Sequence, residues 1–214
     1  MSGYGHTSDS VNDAPEQLFA RQDSSDDALF YRSPRFVTHI DDATIAALTA
    51  YYDEVLTTDS RVLDLMSSWI SHLPETKTLS YVAGLGMNQA ELDANPRLHE
   101  RIVQNLNIKP ELPWQDGSFE AALIAVSVQY LASPYPVFAE LGRVLAPGGQ
   151  VIVAISHRCF PTKAIYAFHV LAPQERMQLV GNYLDRTGVF GQIEAIDRSP
   201  TAADPLWIVR GVRH

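Results

Sequence analysis

The run QVIVAIS at residues 150–156 is continuously apolar and rich in β-branched side chains. A strand that must bury both of its faces reads this way, without alternation, and such strands belong to parallel sheets covered by helices on both sides. The rest of the chain repeats the theme. RVLDL (61–65), TLSYVAGLG (78–86), RIVQNLN (101–107) and FEAALIAVS (119–127) are further apolar runs. The segments between and beyond them include weak or clear helical patterns, one starting near Asn88, another over PYPVFAELGRVL (134–145) and a third near APQERMQLVGNYLDRTG (172–188). Strands alternating with helices imply a parallel sheet. The final runs, FGQIEAIDRS and PLWIVRGVR, are joined only by the turn-rich PTAAD. That leaves no room for a crossover helix, so the pair is expected to be antiparallel. The fold class read from the chain is α/β, Rossmann-like: a mostly parallel seven-stranded sheet with a C-terminal antiparallel hairpin and helices on both faces.

Residues 1–27 are rich in Ser, Asp and Gly and lack apolar periodicity, so they are expected to form a flexible acidic tail. Residues 28–214 are expected to form a single domain. Within it, 28–58 form an N-terminal lid segment, with Asp41 or Asp42 capping a helix whose apolar positions are Ile45, Leu48, Tyr52 and Val55. The formal net charge of -9 argues against nucleic acid, whose binding rests on Lys and Arg neutralising phosphates. One cysteine, Cys159, excludes an internal disulfide and suits a reducing compartment. No stretch of about 18 apolar residues suggests a membrane span, and the N-terminus lacks a signal-peptide layout. The expectation is a cytoplasmic protein with no membrane partner. No Cys/His spacing suggests a metal site.

The block LPWQDGSFEAALIAVSVQYLASPYPVFAELGRVLAPGGQVIVAIS, residues 112–156, resembles the second half of the class I S-adenosylmethionine-dependent methyltransferases, of the methyltransferase type 11 kind. In physical terms Pro147 ends the helix, and Gly148 and Gly149 supply the free backbone angles that turn the chain into the next strand. DLMSSWISHLP (64–74) and FYRSPRFVTHID (30–41) resemble a branch of that family with a serine loop in place of the usual Asp-x-Gly-x-Gly-x-Gly. Aligned on Asp64, the glycine positions hold Met66, Ser68 and Ile70, and Pro74 implies a first helix about a turn shorter than the family's. The acid that usually ends strand two is replaced by Gly86, and Asn105 stands where strand three often ends in an acid.

The resemblance implies S-adenosylmethionine as cofactor and methyl transfer to a small-molecule acceptor, with oligomeric state left open. It implies cofactor contacts for Asp64, Ser67, Ser68, Gly84, Met87, Asn105, Leu106 and Ser127. Ser67 and Ser68 are small hydroxyl residues able to cap free N–H groups and to bind a carboxylate. Asn88, two residues beyond Gly86, is a substitute for the missing ribose ligand. Trp69 either lines the cofactor pocket or packs as core. Tyr130 either contacts substrate or packs. His157 and Arg158 follow strand five, where they serve as base and anion clamp or stand in a solvated loop. His39 is a lid contact and alternative base, or a helix-entry residue. Two other readings stand beside this one. A cofactor-degenerate protein would keep the fold as a partner or regulatory subunit. A nicotinamide dehydrogenase would require a G-x-G-x-x-G loop that is absent.

Overall fold

The computed structural model describes residues 16–214. In chain order, α1 spans Asp27–Phe30, α2 Asp42–Val55, β1 Arg61–Ser67, β2 Tyr81–Gly86 and α3 Gln89–Ala94. Then follow β3 Glu100–Val103, β4 Phe119–Ala125, α4 Pro134–Val144, β5 Leu145–Ile155, α5 Ala167–Val170, α6 Pro173–Asp185, β6 Phe190–Asp197 and β7 Trp207–Arg213. The seven strands form one sheet in the order β3-β2-β1-β4-β5-β7-β6. The first five are parallel, and β7 lies antiparallel between β5 and β6. This is the architecture the sequence implies, hairpin included.

Strand residues divide by parity between two apolar layers, as a sheet covered on both faces requires. Val62, Leu123 and Ile152 face Leu48 and Tyr52 of α2, together with Leu92 of α3. Leu63, Ile124 and Val153 face Phe138 of α4 and Tyr183 of α6. The helix α2 is capped as expected, with the Asp41 carboxylate accepting from Thr44 N at 2.9 Å. Gly148 takes the left-handed conformation at the entry to β5, φ 79°.

Two expectations need correction. Residues 16–27, read as part of a flexible tail, are docked. Phe19 packs against Tyr135 and Tyr183, Arg21 bridges to Ile165, and Asp23 and Asp27 both reach Nζ of the fully buried Lys163 at 3.1 Å. A Ser/Asp-rich composition does not preclude order when a buried cation elsewhere needs those acids. The remainder of the expected tail, 1–15, lies outside the described residues. The second correction concerns the helix expected after β1. Residues 68–80 contain no helix at all. Instead β1 runs on through a bulge at Met66, so that Ser67 pairs with Gly86 of β2.

Candidate active site

The parallel strands end together at one edge of the sheet, where folds of this kind bind their ligands. A cavity opens there. Met66, Ser67 and Ser68 follow from β1, Gly86 and Met87 from β2, and Asn105 and Leu106 come after β3. Ser127 and Tyr130 come after β4, and Tyr31, Arg35 and His39 cover it from the N-terminal segment. Six of the residues expected to contact the cofactor are therefore brought together, Ser67, Ser68, Met87, Asn105, Leu106 and Ser127, with Tyr130 and His39 of the expected acceptor site beside them on the wall.

The β1 loop explains how a glycine-free sequence makes this turn. Met66 itself takes the left-handed conformation, φ 59°. The backbone angle a glycine would supply is still used, at a cost of roughly 1–2 kcal/mol. Gly86 is held bare by the same bulge. A Cβ there would lie 2.2 Å from the Ser67 carbonyl oxygen, so no side chain fits at the end of β2. Val126, β-branched, also stands at positive φ, 50°. Such strain in a non-glycine residue persists only where the surroundings enforce it, commonly at functional sites.

Asp64 takes a different place from the one anticipated. It is 3% exposed on the α2 side of the sheet and is absent from the cavity wall. Its Oδ2 accepts from Ser67 Oγ and Ser71 Oγ, both at 2.6 Å. Burial raises its carboxyl to about 6, against the lowering effect of the two hydroxyls. Asn95 completes the cluster, donating to Ser71 Oγ at 2.8 Å and to Ser68 O at 2.9 Å. Asp64 thus fastens the loop that replaces the missing helix.

Three other expected contacts also stand off the wall. Gly84 lies within β2 under Leu98. Trp69 packs edge-on to Phe36 and donates Nε1–H to Val37 O at 3.0 Å. Asn88 caps α3 by accepting from Glu91 N and donates to the carbonyls of Tyr31 and Arg32 at 2.9 and 3.1 Å. Asn88 and Trp69 therefore hold the N-terminal segment over the site rather than face into it.

A second, more open cavity adjoins the first and shares His39, Val126, Tyr130 and Phe160 with it. His157 and Arg158 line this second cavity. Both face Asp204, with Arg158 Nε at 2.8 Å and His157 Nε2 at 3.5 Å. Tyr130 stacks on Phe160 and accepts from Phe160 N at 2.8 Å. His39 packs edge-on to the same ring. Burial lowers the His39 pKa, with the Arg35 charge acting in the same direction and Glu91 opposing it. His39 is therefore held neutral at neutral pH, able to accept a proton.

Sequence reasoning missed Glu91, Arg35, Asp27 and Phe160 on these walls. The guanidinium of Arg35 lies 4.3 Å from the Phe30 ring centroid and 5.3 Å from that of Phe160. The signal was available only for Arg35, which sits inside FYRSPRFVTHID.

The wall fits S-adenosylmethionine. Ser68 Oγ and Ser127 Oγ are buried without hydrogen-bond partners among the described residues, so polar groups of a ligand have donors to meet. Gly86 and Met87 bring the end of β2 to the same wall.

Residues 68–153 match the family model of a methyltransferase domain. No curated protein matches the chain. Among solved structures, an S-adenosylmethionine-dependent methyltransferase from Mesorhizobium loti is 18% identical. That match covers 78% of this chain and 98% of the other, with a TM-score of 0.54. The [4+2]-cyclase SpnF gives 16% identity, coverages of 78% and 80%, and a TM-score of 0.59. The Haemonchus contortus phosphoethanolamine N-methyltransferase 2, in complex with phosphomonomethylethanolamine and S-adenosylhomocysteine, gives 13%, 79% and 52%, and 0.57. At these identities the structural likeness is one of fold. The methyltransferase-domain match begins at Ser68, after β1, and spans β2 to β4, α4 and most of β5. Together with the strand order, it gives the chain the fold of the S-adenosylmethionine-dependent methyltransferases and a methyltransferase-like stretch over residues 68–153.

Proposed function

We propose that the chain is an S-adenosylmethionine-dependent methyltransferase acting on a small-molecule nucleophile bound in the second cavity, beneath residues 28–58 acting as a lid. The observation that carries this reading is the shared wall. His39, Val126, Tyr130 and Phe160 border both cavities, so a nucleophile in one stands beside a cofactor in the other. S-adenosylmethionine, when bound, supplies a methyl group already activated on a sulfonium. The protein's task is then chiefly alignment, and holding reactants in register is worth several kcal/mol of barrier. Ser67, Ser68 and Ser127 border the part of the wall next to β1 and β4, where the unpartnered hydroxyls of Ser68 and Ser127 donate to the amino-acid portion and Ser67, its proton given to Asp64, accepts. Met87, Asn105 and Leu106 enclose the nucleoside portion. His39, neutral and at the junction, takes the proton from a hydroxyl or amine acceptor. Tyr130 and Phe160 exclude water from the junction. Arg158 and His157, exposed at 57% and 52% on the outer rim, orient a polar or anionic part of the acceptor.

Ligand-induced stabilisation tests the cofactor arm. A ligand bound only by the folded state adds about 2.7 kcal/mol at 100 times Kd, a rise of roughly 5–10 °C in Tm for a domain of this size. S-adenosylmethionine and S-adenosylhomocysteine at millimolar concentration are expected to produce it, and NAD to produce none. The acceptor arm is tested by S-adenosylhomocysteine release against small hydroxy, amino and carboxy compounds, with RNA and protein as comparators. Replacing His39 by Asn is expected to lower kcat by roughly 10²-fold without moving the ligand-induced shift. Turnover on RNA or protein alone would refute the small-molecule reading. A flat melt with both ligands would reduce the chain to a cofactor-degenerate protein of methyltransferase fold.

A further inference from the structure

We propose that Glu91 is the carboxylate that holds the ribose hydroxyls of the cofactor, in place of a side chain that the end of β2 cannot carry. The inference rests on the cofactor assignment and begins at Gly86. The β1 bulge puts the Ser67 carbonyl oxygen 2.2 Å from where a Gly86 Cβ would stand. An acid at that position would require the loop after β1 to be rebuilt. The neighbouring backbone therefore excludes any ribose ligand from the strand end itself.

Glu91 is five residues on, in α3. Helical side chains lean back toward the N-terminus of their helix, here toward the end of β2. Glu91 is only 9% exposed, yet it lines the cavity. Its Oε1 accepts from Arg35 N at 2.7 Å. Its Oε2 has no hydrogen-bond donor among the described residues. That oxygen is not sealed in the core but open to the cavity, where a donor on a ligand can reach it. A vicinal diol offers two O–H donors, and an ionised carboxylate is the side chain that only accepts.

The other acids near the cavity are committed elsewhere. The Asp27 carboxylate, also on the wall, takes Arg21, Lys163 and Asn107. Asp64 is off the wall and accepts from Ser67 and Ser71. Glu91 is thus the one wall carboxylate, among the described residues, with an oxygen to spare. It also joins two parts of the site. The same group that receives the ribose on one oxygen fixes the backbone of the covering segment at Arg35 with the other.

Calorimetric titration with S-adenosylhomocysteine and with its 2′,3′-dideoxy analogue tests the assignment without any turnover. Wild-type protein is expected to prefer the hydroxylated ligand by roughly 30- to 100-fold, as two bonds to a charged acceptor imply. Glu91→Gln keeps an acceptor for Arg35 N and the side-chain shape. It is expected to bind S-adenosylhomocysteine roughly tenfold more weakly and the dideoxy analogue unchanged. Glu91→Met removes the acceptor, and the two ligands are expected to bind within about threefold of each other. If the Glu91→Met protein fails to fold, the fall in preference with Glu91→Gln decides. Wild-type discrimination retained in either variant would overturn the role of Glu91. Equal binding of both ligands by wild-type protein would overturn it while leaving the cofactor assignment standing. Binding of neither by wild-type protein would overturn both.

Discussion

The pair β4–β5 and the pair β1–β2 are neighbours in one sheet, yet they are held by different means. Around β4 and β5 the construction is regular. A helix, α4, crosses between the strands, Gly148 takes a positive φ at an irregularity early in β5, and the face is sealed by Phe138, Val151 and Tyr183. Between β1 and β2 there is no crossover helix. An irregular segment takes its place, pinned by Asp64, Ser67, Ser71 and Asn95 through short side-chain bonds. The N-terminal region follows the same division. Residues 16–27 dock on the second half through ring contacts and ion pairs to Lys163. Residues 31–37 attach to the first half through their backbone, to Asn88, Glu91 and Trp69. Apolar packing fixes position wherever a helix is present. Where the helix is missing, a buried polar network does the positioning, and such networks tolerate little partial loss.

The largest expected effect comes from cutting the attachment to the second half. Removing residues 1–27 leaves the fully buried Lys163 without Asp23 and Asp27. Breaking a buried pair by deleting one side costs about 3–5 kcal/mol, a fall in Tm of roughly 10 °C or more. An unchanged melt would show the docking to be dispensable.

Two glycines, one in each half, sharpen the comparison next. Gly86→Ala drives a Cβ into the Ser67 carbonyl and is expected to cost about 3 kcal/mol, at the upper end for single substitutions. Gly148→Ala meets nothing within 4 Å and suffers only from its φ of 79°; it is expected to cost about 1 kcal/mol. Comparative melts that reverse this order would contradict the account of the bulge.

A pH dependence carried by Asp64 completes the comparison. The Asp64 carboxyl is raised from 3.8 to about 6 in the folded chain, so the folded state binds the proton more tightly than the unfolded one. The stabilisation from that proton is complete below about pH 4 and is lost as pH rises through about 6, up to roughly 3 kcal/mol across the window. Asp64→Asn carries no such charge. It is expected to match or exceed wild-type stability above pH 6 by about 1–3 kcal/mol and to flatten the slope between pH 4 and 6. A slope identical to wild type would move the titration to another group.

The second half was legible in the sequence because each of its signals is local. The unbroken VIVAI announces a strand buried on both faces, and Pro147 with two glycines announces the turn into it. The closing hairpin followed from loop length alone. The first half was legible only in part. SSWISHLPE carries no helical periodicity, but Pro74 by itself suggests a shortened helix rather than none. The network replacing it depends on Asn95, distant in sequence and unremarkable in pattern. Residues 16–27 were misjudged because their partner, Lys163, lies far along the chain. Glu91 is not legible in the sequence, because a glutamate early in a short helix ordinarily faces solvent. Only the approach of Arg35 and the crowding at Gly86 show otherwise.

The place of β7 has a kinetic consequence. It follows β6 in the chain but lies inside it in the sheet, between β5 and β6. Until β7 pairs with β5, β6 has no place in the sheet, because β7 is its only neighbour there. The two strands must therefore arrive as one preformed ribbon, or β6 must wait. Such a step joins residues far apart in the chain, with Gln150 opposite Val212, and closures of that span are the slow ones. The hairpin is where folding of this chain should finish and where unfolding should begin.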